Sequence, residues 1–205
     1  MSGVEIVGRS SSHFTRLVRI FAHELGVEHS FRPVMDLTSL DLAVYAGNPA
    51  LKIPTLVTGE GHWFGSENIC RELARLADRR ADVVLRGDVA DRLVANAEEL
   101  TLQAMTTEVS FIMAKMSGAD RVPPKLLQGL ENSLQWLDQH VDETLGRLPP
   151  GRALGFLDVS LFCLVTHLPF REVLDPSPYA RLIAHRDRFG ARKGARQTEY
   201  RYDAA

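Results

Sequence analysis

Through residue 80, short apolar runs with strand-like alternation are interleaved with stretches whose apolar positions have helical spacing. The predicted strands lie at residues 4–7, 29–34, 53–57 and 62–64. The last two are expected to pair antiparallel, since only a tight turn joins them. Helical spacing predicts a helix that ends at Gly26, a weak short helix over 37–45, and a third helix with Ser66 as its N-cap. The order βαβ followed by αββα indicates a small mixed sheet with helices on its faces.

Beyond residue 80 the strand signals stop and the apolar spacing is helical throughout. One long helix is predicted to begin near Leu85 and a second at Pro123-Pro124. Residues 156–168 are apolar nearly all round, which predicts a buried central helix that is broken by Pro169. A further helix and a polar tail follow. The chain is therefore expected to form an α/β domain at residues 1–80 and an all-α helical-bundle domain at residues 85–205.

Composition excludes several classes of protein. Of the 205 residues, 45% are hydrophobic and 24% are charged, which are ordinary values for a folded globular protein. The net charge of −2 provides no overall attraction for phosphate, so nucleic acid is not an expected partner. No apolar run reaches the ~20 residues of a spanning helix, so no membrane partner is expected either. The two cysteines, Cys70 and Cys163, lie in apolar helical patterns that indicate packing in a reducing compartment, and a cytoplasmic protein is predicted.

The most informative stretch is Asn48-Pro-Ala-Leu-Lys-Ile-Pro54-Thr-Leu56. Pro54 stands directly ahead of a predicted strand, in a fixed turn where a cis X-Pro bond can be retained. Such a bond would turn Ile53 away from the sheet edge and leave its backbone N–H and C=O free to pair with an extended peptide. The alternative is that Pro54 merely opens a strand.

This stretch, the run Gly65-Ser-Glu-Asn-Ile-Cys-Arg-Glu-Leu and the segment Gly155-Phe-Leu-Asp158 together resemble the glutathione S-transferase superfamily, in a bacterial-type or serine-type form. The likeness covers nearly the whole chain. It implies a thioredoxin-like domain followed by an all-helical domain, the GST fold. It also implies a transferase that uses glutathione as co-substrate and adds its thiolate to a hydrophobic electrophile, typically in detoxification.

The resemblance implies a set of glutathione-binding residues: Lys52, Ile53, Pro54, Ser66 and Glu67. Ser66, at a helix N-terminus, offers a hydroxyl and backbone N–H groups to the γ-glutamyl carboxylate. Lys52 can pair with the glycyl carboxylate. The alternatives are that Ser66 only caps its own helix and that Lys52 is a solvated surface residue. Gly65 replaces the acidic or amide residue usual in the family, and Glu67 or Asn68 is the expected substitute for that lost contact.

For the thiolate, the resemblance implies a hydroxyl donor at the start of the first helix, within Ser10-Ser11-Ser12. Matching Arg16 to the arginine of serine-type members selects Ser12, whereas matching the serine pair to zeta-like members selects Ser11. Ser12 is preferred because it immediately precedes the amphipathic run. Residues 12–15 contain no cysteine, so dithiol redox chemistry is excluded.

The acceptor site implied by the resemblance lies along the first long helix, with Met105, Phe111 and Met113 as its predicted apolar lining. Methionines and aromatics at helical spacing more often form core or dimer contacts, and that interpretation stays open. The histidines show no metal-ligand spacing, so no metal is expected.

Two other functions stay open. Arg9-Ser10-Ser11 resembles part of the motif of zeta-type members, which would imply a glutathione-dependent cis–trans isomerase of the maleylacetoacetate type. Gly65 instead favours a non-catalytic binding or assembly module with the same fold. Under each function the resemblance implies a homodimer, and apolar residues on more than one face of the long helices agree with it.

Overall fold

The computed structural model describes residues 3–118 and 123–204, which divide into two compact units. Within these ranges, residues 3–83 and 191–204 form the first unit and residues 84–190 the second. The predicted helical domain includes the whole C-terminal tail. The tail instead belongs to the first unit, because its polar groups bond to the first helix.

The first unit contains a four-stranded mixed sheet, as predicted. Its strands are β1 (Glu5–Gly8), β2 (Ser30–Pro33), β3 (Thr55–Thr58) and β4 (Gly61–Phe64). Their order in the sheet is β2-β1-β3-β4, with β1 and β2 parallel and the other pairs antiparallel. The crossover from β1 to β2 is long enough to carry a helix, whereas the two-residue turn between β3 and β4 enforces antiparallel pairing.

Helices α1 (His13–Leu25) and α2 (Ser66–Leu76) pack together in the same unit. Gly26 ends α1 in the left-handed conformation, with a φ of 73°, as its sequence position predicts. The weak helix expected over 37–45 is only a 3₁₀ helix, Leu42–Tyr45, capped by Asp41. Apolar residues from the sheet and both helices fill the interior. Those fully buried include Ile6, Leu17, Phe21, Leu56, Ile69 and Leu73.

A short helix at the C-terminus, α7 (Lys193–Gln197), packs on α1 and was not predicted. The carboxylate of Glu24 fastens it: one oxygen accepts from the Gly194 N–H at 2.7 Å and the other from the Arg192 Nε–H at 2.8 Å. A Cβ on Gly194 would lie 3.1 Å from the carbonyl oxygen of Ile20, so the absence of a side chain permits this close approach.

The second unit is formed chiefly by helices. They are α3 (Arg92–Met116), α4 (Pro124–Gly146), α5 (Phe156–Phe170) and α6 (Ala180–Gly190). Two short strands, β5 (Val83–Val84) and β6 (Leu154–Gly155), also occur, and a 3₁₀ helix, Arg80–Asp82, precedes β5 in the chain. No helix in the described residues is both long enough and apolar enough to cross a membrane.

Two predicted helix ends in the second unit are wrong. Helix α3 begins at Arg92 and not near Leu85, because the Asp91 carboxylate caps it by accepting from the N–H groups of Leu93 and Val94. Helix α5 runs past Pro169 to Phe170. Proline lacks a backbone N–H, so it removes one hydrogen bond from a helix. Because Pro169 lies in the last turn of α5, the helix ends one residue later, before further backbone bonds are lost.

Candidate functional site

The register of the sheet brings three predicted segments to one end of the first unit. Val7 lies opposite Thr55, and Thr55 lies opposite Phe64. The loop that follows β1, the residues that precede β3 and the residues that follow β4 therefore all leave the sheet at the same end. These segments carry the predicted residues Ser11, Ser12, Lys52, Ile53, Pro54, Ser66 and Glu67.

Ser12 is the N-cap of α1 and has the extended backbone of a capping residue, with a φ of −103°. Its Oγ accepts from the N–H of Thr15 at 3.3 Å, and its own N–H donates to the Arg9 carbonyl at 3.0 Å. A serine hydroxyl has one donor as well as its acceptor capacity. The Ser12 O–H can therefore still donate to an anion at the positive end of α1.

Ser11, the alternative residue, is nearly buried, with 5% of its surface exposed, whereas Ser12 is partly exposed. Exposure therefore favours Ser12 for contact with a ligand.

The Ile53–Pro54 peptide bond is cis, the state that the sequence analysis considered. Pro54 is buried and Ile53 is partly exposed. Among the described residues, neither the N–H nor the C=O of Ile53 bonds to another backbone group outside the regular elements. Neither group is therefore committed to such a bond, and their pairing with an extended peptide stays a prediction.

Asn48 stabilises the loop before Ile53 through its side chain, a role that was not predicted. The Asn48 side-chain amide donates to the Lys52 carbonyl at 2.8 Å and its oxygen accepts from the Ala50 N–H at 3.0 Å. Asn48 is 4% exposed, so these bonds are shielded from water. Asn-Pro at a loop start is a turn signal that could have indicated this role. Lys52 itself is exposed and forms no ion pair in the described part of the chain.

Ser66 is the first residue of α2, not its N-cap as predicted. Gly65 occupies the N-cap position with a φ of 82°, a conformation that glycine adopts readily. The Ile69 N–H is the donor to the Gly65 carbonyl, so the N–H groups of residues 66–68 precede the first helical bond. In the described residues the Ser66 hydroxyl makes no bond that would commit it to capping.

Glu67 lies in the first turn of α2 and accepts from Arg71 at 3.1 Å, one helical turn later. A carboxylate at this end of a helix is favourable for the helix dipole. Glu67 therefore adds a negative charge beside the free N–H groups of α2.

The predicted acceptor residues are not brought together on one surface. Met105 is fully buried and Phe111 is 6% exposed, whereas Met113 is exposed. Met105 in particular has no exposed surface. Its predicted role in lining an open site is therefore not supported, while its alternative role in the core agrees with its burial.

Solved structures share this fold along almost the whole chain. A glutathione S-transferase from Methylobacillus flagellatus KT, solved with GSH bound, is 21% identical and has a TM-score of 0.75, with 97% of this chain and 100% of that chain covered. A family member from Pseudomonas fluorescens Pf-5 with bound glutathione is 19% identical, with a TM-score of 0.74 and coverage of 97% and 99%. Methylobacterium radiotolerans provides a third, in complex with glutathione sulfonate, at 18% identity, a TM-score of 0.72 and coverage of 98% and 97%.

The segment that contains the candidate site also matches a protein family. Residues 11–76 match the family described as Glutathione S-transferase, N-terminal domain. The matched segment contains α1, β2, β3, β4 and α2. The chain shares with the solved glutathione S-transferases a thioredoxin-like sheet followed by a helical part, which is the predicted fold. Comparison with curated proteins gives no match.

Proposed function

We propose that this protein is a glutathione transferase of the glutathione S-transferase superfamily, which binds glutathione at the sheet end defined above and adds its thiolate to a hydrophobic electrophile. The observation that carries the proposal is the Ser12 hydroxyl at the start of α1, on the same end of the sheet as Ile53 and Ser66. Relatives of the same fold solved with bound glutathione support it.

The two ends of glutathione require different partners. The N–H groups of residues 66–68 and the Ser66 hydroxyl suit the γ-glutamyl carboxylate at the positive end of α2. The Glu67 carboxylate suits the neighbouring amine, and the exposed Lys52 ammonium suits the glycyl carboxylate. Between them, the N–H and C=O of Ile53 pair with the backbone of the cysteinyl residue.

Catalysis depends on whether the glutathione thiol is ionised. A free thiol has a pKa of about 8.5, so most of it is protonated at neutral pH. A hydrogen bond from the Ser12 O–H to the sulfur, together with the dipole of α1, favours the thiolate and lowers that pKa. The proton leaves to solvent, and the sulfur electron pair forms the bond to the electrophilic carbon. In a substitution that carbon releases its leaving group, chloride in the case of chlorodinitrobenzene, and in an addition a π electron pair moves to the neighbouring atom, which then takes a proton from solvent. Placing both reactants in one site lowers the barrier further.

Replacing the hydroxyl tests the proposal. Ser12→Ala should lower kcat for a broad electrophile such as chlorodinitrobenzene by roughly 10²-fold, as loss of one preorganised donor does elsewhere. The KM for glutathione should change far less, because the carboxylate partners are intact. Ser11→Ala is the matched control and should keep the wild-type rate. A large loss in Ser11→Ala with an unaffected Ser12→Ala would contradict the assignment of Ser12.

Gly65 specifically favours a second candidate, a binding or assembly module without transferase chemistry. The missing side chain at this position removes a contact to the γ-glutamyl group that the resemblance implies. Calorimetric titration with glutathione and an electrophile panel separate the two candidates. Millimolar-range binding with turnover supports the transferase, whereas weak binding without conjugation of any electrophile supports the module.

A further inference from the structure

The C-terminal tail, residues 191–204, returns to the loop that carries the candidate catalytic serine. The Ser10 N–H donates to Oδ2 of Asp203 at 2.8 Å, although 193 positions separate the two residues. Nearer the start of the tail, Arg16 on α1 donates from Nη2 to the Ala195 carbonyl at 3.1 Å. The Arg16 guanidinium also lies 4.2 Å from the centre of the Tyr200 ring. The tail is thus bonded to α1 and to the loop before it.

Asp203 also supplies negative charge near a buried cation, Arg19. Arg19 is 8% exposed, stacks 4.4 Å from the Phe31 ring centre, and points Nη1 at the Ser10 Oγ at 3.5 Å. Burial lowers the pKa of Arg19, and the nearby Arg201 lowers it further, whereas the Asp203 carboxylate raises it. A carboxylate at this point therefore offsets the cost of a desolvated guanidinium beside Ser10.

Further bonds hold the two ends of the loop. The Arg9 N–H donates to Oγ1 of Thr15 at 3.3 Å, and the Ser12 N–H donates to the Arg9 carbonyl. Gly8 is packed against the same threonine, since a Cβ there would lie 2.5 Å from the Thr15 side chain. These bonds fix both ends of the loop to β1 and α1. The Asp203 bond fixes its middle, two residues before Ser12.

We propose that Asp203 is a positioning residue for Ser12, acting by holding the Ser10 amide so that the Ser12 hydroxyl keeps its direction toward the thiolate. The inference rests on the proposed function, in which Ser12 donates to the sulfur. Donor direction matters because a hydrogen bond weakens steeply once its angle departs from linear. A loop released at Ser10 would lower the rate without changing the groups that bind the carboxylates of glutathione.

The experiment compares Asp203→Ala, Asp203→Asn and Glu199→Ala with the wild type. Asp203→Ala should lower kcat about tenfold, in the range for loss of a bond to a charged acceptor, with an unchanged KM for glutathione. The pKa of the bound glutathione thiol, followed by thiolate absorbance, should rise. Asp203→Asn should restore most of the wild-type kcat and thiol pKa, because its amide oxygen still accepts from Ser10. Glu199 is an exposed acid in the same tail, so Glu199→Ala should change neither kcat nor the thiol pKa.

Hydrogen exchange at the amides of residues 9–12 gives a readout apart from activity. Exchange should be faster in Asp203→Ala than in the wild type and unchanged in Glu199→Ala. Rates are expressed per glutathione-binding site, so that partly unfolded protein does not mimic the effect. An active wild type with Asp203→Ala at the wild-type kcat, or with Asp203→Asn as impaired as Asp203→Ala, would overturn the inference. An inactive wild type would instead overturn the proposed function.

Discussion

Gly65 has backbone angles that side-chain-bearing residues rarely adopt, with a φ of 82°, yet a Cβ there would meet nothing closer than the Asn68 amide nitrogen at 3.9 Å. Substitution at residue 65 is therefore limited by the backbone conformation and not by a lack of space for a side chain. This explains how a glycine can stand where the resemblance leads one to expect an acidic or amide residue. It also predicts that a side chain can be restored at a conformational cost.

Restoring an amide at residue 65 should strengthen glutathione binding and weaken the fold. Gly65→Gln should tighten the calorimetric Kd by roughly 3- to 10-fold through one added hydrogen bond. Because a side chain at residue 65 must adopt this positive-φ backbone conformation, the substitution should lower the free energy of unfolding by about 1 kcal/mol. Gly65→Ala is the matched control, with the same backbone cost and no amide. Equal affinities of the Gln and Ala variants would show that the side chain does not reach glutathione.

His185 should make stability depend on pH. Its imidazole is 4% exposed in α6, and Nε2 bonds to the Asp158 carbonyl at 3.0 Å. Burial lowers the pKa of His185, and the Asp158 bond opposes this only in part. At pH values between the lowered pKa of His185 and the ordinary histidine pKa of about 6.5, the unfolded chain binds more protons than the folded chain. The stabilisation is therefore complete above about pH 6.5 and is lost as the pH falls toward the folded-state pKa.

Urea unfolding between about pH 7.5 and pH 5 measures this dependence. The free energy of unfolding should fall with acidification in the wild type and fall less steeply in His185→Asn. Burial, and after it His29, also lowers the pKa of His23, so a residual slope of the same sign should persist in the variant. His62→Asn, at an exposed position on β4, is the control and should follow the wild type. A His185→Asn slope equal to that of the wild type would contradict the role of His185.

At the scale of elements, the best-predicted features are those whose signals are local. Ser12 and Gly26 mark the ends of α1, since a capping hydroxyl and a left-handed glycine act within one helical turn. The pairing of β3 with β4 follows from the turn that joins them. Helix α7 gives no such signal: it has five residues, and bonds to Glu24 and Arg16 on α1 fasten it from elsewhere in the chain.

At the scale of the molecule, strand order decides which predicted residues share a site. The strands and their motif could be predicted, and the register then places Ile53, Ser66 and the loop of Ser12 at one sheet end. Two features could not be predicted. Helical spacing puts Met105 on an apolar face of α3 but does not say what covers that face. The bond from Ser10 to Asp203 joins the two ends of the chain, and no local pattern encodes it.

Assembly is the last property that the whole molecule predicts. Each unit exposes large apolar side chains: the first shows Leu40 and Leu42 beside its 3₁₀ helix, and the second shows Met116 and Leu127 near facing ends of α3 and α4. Association with a second copy would bury such side chains, and a two-fold dimer is the commonest arrangement. The resemblance also implies a homodimer, with the small domain of one subunit against the helical domain of the other.

Light scattering at micromolar concentration should therefore give twice the 22.8 kDa of one chain, and the mass should persist at high salt because apolar contacts are not screened. A mass of 22.8 kDa throughout a concentration series would refute the dimer.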